Sequence, residues 1–358
     1  MSKILFTGGG TAGHCTPNLA LVPYLESVFP EICYIGSRNG VEKDLVGKSG
    51  IPYYAIPTVR LVRKLTLKNL AVPFRLLRAV CAAKKILRKE NPSVVFSKGG
   101  YVSLPVAIAA KELGIPVVTH ESDFSLGLAN KIAAKFSDFL LTSFEQTAKD
   151  LPNARYVGSP LRRELFLPYD EASIRKKYRL KGNLPLLLVT GGSSGSEALN
   201  RAVEGCLDEL TKRFEIVHLY GKGKSCAAER DGYRPVPFAE NVAELFRITD
   251  YALSRAGANT LFELTALGIP TLAVPLPKGN SRGDQIENAK YFHDNRLIDL
   301  LFEEELSSAS LPDALQKLVA HGRTLKENCR KKDFRRANKL IVGYLTAFAS
   351  LAPSPHAE

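Results

Sequence analysis

None of the six cysteines (Cys15, Cys33, Cys81, Cys206, Cys226, Cys329) stands in a C-x-x-C pair, which argues against a zinc site and a disulfide framework and leaves six thiols suited to a reducing cytosol. No stretch approaches the roughly 18 to 20 apolar residues that a spanning helix requires. The apolar run behind Met1, residues 4–6, is too short for a signal-peptide core, so any membrane contact is expected to be peripheral. No Asp-x-Asp pair of the kind that chelates a nucleotide-bound metal stands where a ligand cleft is expected, and metal independence follows as an expectation. What the chain has in excess is positive charge. Its 49 Lys and Arg against 36 Asp and Glu give +13, which favours anionic partners: nucleic acid, phosphorylated metabolites or lipid head groups.

The 358 residues, 45% hydrophobic and 24% charged, suit an ordinary globular protein and suggest two domains. Along the first half, short apolar runs alternate with longer amphipathic ones, as βα units on a parallel sheet require. Strands are expected at 4–7, 32–35, 53–56, 94–97, 116–120 and 139–142, with helices at about 17–28, 41–48, 70–89, 104–113, 127–134 and 144–151. Gly158-Ser159-Pro160 breaks the pattern and a charged stretch follows, placing a hinge there. A second series has strands at 186–190, 215–219, 234–237, 251–254 and 271–274, then a basic helix at about 325–348 and a tail rich in Pro and Ser. The fold class is α/β: two doubly wound, Rossmann-like domains expected to face each other across a cleft, with ligands at the carboxyl ends of the strands. A single large α/β enzyme with insertions would leave a similar pattern.

Directly behind the first strand comes Gly8-Gly9-Gly10-Thr11-Ala12-Gly13-His14-Cys15-Thr16-Pro17 and then a helix. Glycines allow close approach to bare backbone, and N–H groups at a helix start attract anions. As G-x-G-x-x-G the run would suggest NAD, but Gly36-Ser37-Arg38 replaces the acidic residue wanted after the second strand, which leaves NADP as the compatible dinucleotide. His14 suits a general base or a phosphate ligand, and equally a helix cap. Gly191-Gly192-Ser193-Ser194-Gly195-Ser196 repeats the arrangement in the second half, so a second anion site is expected. It lacks the Lys-Ser/Thr of an ATPase phosphate loop. The run from Ser254 to Leu264 places Glu263 about one and a half turns into a helix, where its carboxylate could accept both hydroxyls of a ribose or simply lie at the surface.

The segments GGGTAGH, SKGGYVSLPVAIAA, HESDFSLGLANK, GSPLR, VTGGSSGSEALN, SRAGANTLFEL and DQIENA occur in the order seen in the MurG family of glycosyltransferases, which the chain resembles over nearly its whole length. The resemblance implies the GT-B fold, with an acceptor-binding and membrane-docking domain at 1–160, a donor-binding domain at 161–334, and a terminal helix at about 335–350 packed back on the first. It implies inverting transfer of N-acetylglucosamine from UDP-N-acetylglucosamine to the C4 hydroxyl of the N-acetylmuramic acid of lipid I, giving lipid II. No cofactor is implied, and the partners would be the two substrates, an anionic membrane surface on the cytoplasmic face and a cell-wall synthesis complex, with no nucleic acid. Glu263 would hold the ribose, Gly192 and Ser193 the diphosphate, Arg162 the uracil end or phosphates, and Gln285, with Asp284 beside it, the sugar. Thr11, Ala12, Gly13, Ala239, Arg255, Gly257 and Ala258 would complete the donor site. Gly9, Gly10, His14, Gly99, Gly100, Tyr101, His120, Glu121 and Asp123 would meet the acceptor. His14 is the first expected base, with Asp123 or Glu121 behind it. At Ser122-Asp123 and Ser194 the sequence departs from the commoner H-E-Q-N and G-G-S-Q-G forms.

Residues 60–89 carry Arg60, Arg63, Lys64, Lys68, Arg75 and Arg78 among apolar residues and no acid, as suits docking to an anionic bilayer; a solvated crossover helix would read similarly. Two other functions fit parts of the chain: another UDP-sugar enzyme of the same architecture, such as a glycolipid synthase or a UDP-N-acetylglucosamine 2-epimerase, and a non-catalytic nucleic-acid or lipid-binding protein, against which the paired glycine loops weigh.

Overall fold

A computed structural model describes residues 2–58, 72–149, 151–279 and 282–351. They divide into two compact units, Met1–Leu161 with the chain from Arg335 onward, and Arg162–Phe334.

The first unit is built on seven strands, all parallel among the described residues: β1 (Lys3–Thr7), β2 (Glu31–Ser37), β3 (Tyr53–Ile56), β4 (Val94–Ser97), β5 (Val117–Glu121), β6 (Phe139–Thr142) and β7 (Ala154–Tyr156). Their order is β3-β2-β1-β4-β5-β6-β7. The helices are α1 (Thr16–Leu25), α2 (Val41–Gly47), α3 (Val72–Glu90), α4 (Ser103–Glu112), α5 (Leu128–Ala133) and α6 (Glu145–Lys149). Central strands such as Val94-Val95-Phe96 are buried on both faces, which is why they read as unbroken apolar runs. Val80, Ala83, Leu87, Val106 and Ala110 of α3 and α4 cover one face. Leu21, Leu25 and Val46 of α1 and α2 cover the other.

The second unit has six strands in the order β10-β9-β8-β11-β12-β13. They are β8 (Leu186–Thr190), β9 (Glu215–Leu219), β10 (Tyr233–Val236), β11 (Tyr251–Ser254), β12 (Thr271–Ala273) and β13 (Asp299–Leu300), again parallel. Around them lie α7 (Glu171–Lys177), α8 (Glu197–Glu204), α9 (Leu207–Leu210), α10 (Val242–Ile248), α11 (Ala258–Ala266), α12 (Asp284–Asp294) and α13 (Leu311–Arg330).

The single basic helix expected near the C-terminus is two. Helix α13 stops at Arg330 and α14 (Arg336–Leu351) starts afresh, because the two pack on different units. Ile341 and Leu345 of α14 join Ile4 and Phe6 of β1 in one core, while Leu315 and Leu318 of α13 pack with Leu187 of β8. Asn338 pins α14 by a two-way bond, donating to Leu161 O at 2.8 Å and accepting from Leu161 N at 2.9 Å. The final Pro- and Ser-rich tail lies outside the described residues.

Candidate functional site: two loop clusters at the sheet switch points

In the second unit the strand order reverses between β8 and β11, so the loops behind them diverge and leave the crevice where α/β sheets hold ligands. Behind β8, Gly192 adopts φ +79° with nothing within 4 Å of where a Cβ would stand, and Ser193 and Ser194 are exposed. Gly195 is different: at φ +68° its Cβ would fall 2.1 Å from Tyr220 O, so only glycine lets this turn meet the loop behind β9. Ser196 caps α8, accepting from Leu199 N at 3.4 Å. The same oxygen accepts from Arg255 Nε at 3.0 Å, and Arg255 Nη1 bonds Val274 O and Pro275 O at 3.1 and 3.2 Å while Nη2 bonds Glu303. Arg255, expected at the nucleotide, is thus engaged with protein partners. It is buried and committed to tying the α8 cap to the end of β12.

Helix α11 begins behind Gly257, where a Cβ would again meet nothing within 4 Å, while Ala258 is buried. Glu263 is buried at 7% exposure rather than solvated, and both its oxygens are occupied: Arg162 Nε donates to Oε1 at 2.6 Å and Nη2 to Oε2 at 2.5 Å. The guanidinium also lies 5.9 Å from the Phe246 ring centroid. Two residues expected at a nucleotide are thus already paired with each other. Gln285, one residue into α12, accepts the Leu276 N–H at 3.1 Å through Oε1 and so braces the chain beyond β12. Ala239 lines a cavity of about 330 Å³ with Tyr178, Arg234 and Phe238.

The first unit reverses between β1 and β4. Here the glycine loop is filled. A Cβ on Gly9 would fall 2.4 Å from Glu42 Oε1, one on Gly10 (φ +91°) 2.5 Å from the Tyr101 ring, and one on Gly100 (φ +83°) 2.2 Å from Gly9 O and 3.3 Å from His14 Nδ1. Gly9, Gly10, Gly100, Tyr101 and His14 thus form one cluster. Thr11, Ala12 and Gly13 continue from it into the short 3-10 turn Ala12–His14. The anion expected at this loop meets a carboxylate instead: buried Glu42 accepts from Gly10 N at 3.1 Å and from Ser37 N at 3.0 Å. His14 is half-buried, its Nδ1 3.1 Å from Thr11 Oγ1.

Beneath this loop lies Lys98, fully buried, its Nζ 2.6 Å from His120 Nδ1 and also donating to Ser122 Oγ. His120 Nε2 sits 2.9 Å from Gly158 O, and a carbonyl only accepts, so Nε2 carries the proton and Nδ1 accepts from Lys98. Burial, then the neighbouring lysine, holds the His120 pKa well below its ordinary value, with the Gly158 bond opposing. Burial pushes Lys98 down to about 7 against the pull of Glu121 and Asp123. Glu121 is buried and accepts from Asp123 N, Gly127 N and Asn130 Nδ2 at 3.0, 3.0 and 2.9 Å. His120 and Glu121, expected at the acceptor, both spend side-chain hydrogen bonds on building the loop that carries Asp123. Gly99 (φ +89°) packs on Asn130, where a Cβ would fall 2.4 Å from Oδ1.

Residues 4–141 match the glycosyltransferase family 28 N-terminal domain and residues 186–341 its C-terminal domain. Over 334 residues the chain is 44% identical to the UDP-N-acetylglucosamine--N-acetylmuramyl-(pentapeptide) pyrophosphoryl-undecaprenol N-acetylglucosamine transferase of Oceanobacillus iheyensis, covering 92% of this chain and 93% of that one. It is 40% identical to the Clostridium tetani enzyme of the same name over 354 residues, 98% and 99% of the two chains. The solved structure of Acinetobacter baumannii MurG has the same fold, with a TM-score of 0.74 over 97% of this chain and all of that one at 24% identity. The chain belongs to the MurG family of glycosyltransferases. Within this MurG-family chain three organising side chains escaped the sequence reading. Glu42 was hidden because it reaches the glycine loop from the first turn of α2 rather than from the end of β2. Lys98 stood in plain view as a charge closing an apolar strand. His218 of β9, half of a chain Asn200–His218–Tyr233 at 3.1 and 2.9 Å, steadies the Gly195 contact, since Asn200 Nδ2 also donates to Tyr220 O and Ser225 O at 3.2 Å.

Of the expected basic patch, Arg60, Arg63, Lys64 and Lys68 lie outside the described residues. Arg75 and Arg78 are exposed on α3, beside Phe74 at 74% and Leu77 at 61% exposure and the exposed thiol of Cys81. Among the described residues no helix is long and apolar enough to cross a membrane, and no three His, Cys, Asp or Glu side chains are grouped to hold a metal ion.

Proposed function

We propose that the protein transfers N-acetylglucosamine from UDP-N-acetylglucosamine to the C4 hydroxyl of the N-acetylmuramic acid of lipid I, with inversion at the anomeric carbon, and so forms lipid II. The observation that carries this is 44% identity across 93% of a relative bearing that activity in its name. The site chemistry supports it. The second unit offers an open glycine loop at Gly192 and Ser193 for a diphosphate, the helix start at Gly257 beside it, and the Glu263 carboxylate for ribose hydroxyls. Arg162, released from Glu263 when those hydroxyls arrive, turns to the nucleotide. Gln285 keeps an amide for the sugar.

In the reaction the acceptor oxygen bonds to C1 of the sugar as the C1–O bond to UDP breaks, and the hydroxyl proton passes to a base. Backbone N–H groups and helix dipoles stabilise the departing diphosphate without a metal. His14 is the base of choice: with the proton on Nδ1 directed at Thr11 Oγ1, Nε2 carries the lone pair. Gly9, Gly10, Tyr101 and Asp123 receive the acceptor. The exposed Phe74 and Leu77 among Arg75 and Arg78 dock the enzyme on an anionic bilayer, each cation contributing on the order of 1 kcal/mol, and place it on the cytoplasmic face where both substrates meet.

The test is transfer of labelled N-acetylglucosamine to a short-chain lipid I analogue, with EDTA present. Turnover is expected. Hydrolysis or epimerisation of the donor without transfer would defeat the acceptor assignment, and dependence on added metal would defeat the metal-free mechanism. Loss of anionic-vesicle binding in F74D/L77D tests docking.

A further inference from the structure

Lys98 has no part in the chemistry above, yet its side chain is fully buried. It follows β4 directly, its amide donating to Thr7 O at 2.8 Å, and its Cβ lies 3.2 Å from where Gly8 would carry one, so its stem runs beneath the glycine loop. The ammonium has two partners with different consequences. At His120 it meets a lone pair fixed by the bond to Gly158 O, an arrangement that requires a donor in this place. At Ser122 it holds the residue next to Asp123. Asp123 is thereby gripped twice, its own N–H by Glu121 and its neighbour's hydroxyl by Lys98, while its carboxylate remains only half-buried.

We propose that Lys98 is a positioning residue for the acceptor: it fixes Ser122 and Asp123 behind β5, so that the Asp123 carboxylate is held where it can accept a hydrogen bond from the incoming sugar. This rests on the transferase reading for its effect on turnover. The charged or titratable groups around the ammonium are His120, Glu121 and Asp123. Glu42 and His14 meet the glycine loop at Gly9 and at Gly8 and Gly100. His120 Nδ1 accepts from the lysine and Glu121 already accepts three other hydrogen bonds, so Ser122, and through it Asp123, is the part of the loop that the lysine positions most directly.

The variant is Lys98→Met, which keeps the stem and removes the charge. For transfer to the lipid I analogue, kcat is expected to fall at least tenfold while UDP affinity, read by calorimetry, stays within twofold. An unchanged kcat, or a matching loss of UDP affinity, would overturn the proposal. Carbon-13 chemical shifts of Ser122 and Asp123, assigned with Asp123→Asn, read the placement of the loop without turnover. Both should move in Lys98→Met, and shifts that stay in place overturn the proposal even where wild type fails to transfer, a failure that would count separately against the transferase reading. If Lys98→Met does not fold, Ser122→Ala cuts the link to the loop and leaves the amine. A threefold or greater fall in kcat is expected, and none would overturn the proposal.

Discussion

The two glycine loops share one local grammar, a parallel strand, a glycine turn and a helix start at a switch point, yet they are finished in opposite ways. In the second unit Gly192 faces open space and the residues around it are exposed. In the first, every glycine from Gly8 to Gly10 is crowded, and a buried carboxylate takes a loop N–H that an anion would otherwise use. A glycine turn is thus a permission for close approach, and what approaches is decided elsewhere in the chain. In one loop the space at the turn is left open; in the other, Glu42 and Tyr101 stand against it.

The largest effect should come from Glu263→Ala, which removes the carboxylate proposed to hold the ribose and strands Arg162. Loss of a charge-assisted pair at a buried position is on the order of 2–3 kcal/mol, so donor kcat/KM should fall by about 100-fold, with UDP affinity following in calorimetry. A fall below threefold would mean that the nucleotide lies elsewhere. Next comes the contrast between Gly195→Ala and Gly192→Ala. Both force an L-residue into positive φ at a cost of about 1–2 kcal/mol, but only the first drives a Cβ onto Tyr220 O, so its urea midpoint should drop clearly further. Equal shifts would show that the two turns are equally open. Glu42→Ala should cost about 1–3 kcal/mol of stability through the stranded Gly10 and Ser37 N–H groups and leave UDP affinity within twofold. A large loss of UDP affinity would erase the distinction between the loops.

A further effect is in acid. Burial holds His218 down to about 4, below its unfolded value near 6.5, so the unfolded chain binds the extra proton between these pH values and stability is lost as pH falls through that window. Up to about 3 kcal/mol is at stake. His218→Gln should flatten the pH dependence of the urea midpoint between pH 6.5 and 4.5, and an unaltered slope would assign the effect to other groups, His120 among them.

Much of the architecture was legible because doubly buried strands must be apolar and parallel strands must be spaced by helices. β8, β9 and β11 fall where the alternation put them. β7 and β13 escaped because an edge strand of three residues with exposed Arg155 and Tyr156, or one of two residues, leaves no apolar run to read. In the site, the burial of Glu263 was legible from its apolar neighbours. The engagement of Arg255, His120 and Glu121 with protein partners was not, because a polar side chain looks the same in sequence whether it faces a ligand or a buried carbonyl. Glu42 and Lys98 show the converse: charge that structures a loop can arrive from a neighbouring element or lie under it, and only burial reveals it.

The six thiols also sort themselves sharply. Burial pushes Cys15, Cys33 and Cys329 up to about 12 and Cys206 to about 11, which keeps them as unreactive thiols, and Cys226 is raised and hydrogen-bonded to the Tyr233 hydroxyl. Cys81 alone is exposed, one helical turn from Leu77 and Arg78 on α3. A maleimide dye added to the native chain will therefore find one address, and it is the helix face that bears the exposed apolar residues. The protein thus carries its own reporter: the colour and quenching of a probe on Cys81 can show, with no engineered cysteine, whether that face meets a bilayer when vesicles are offered.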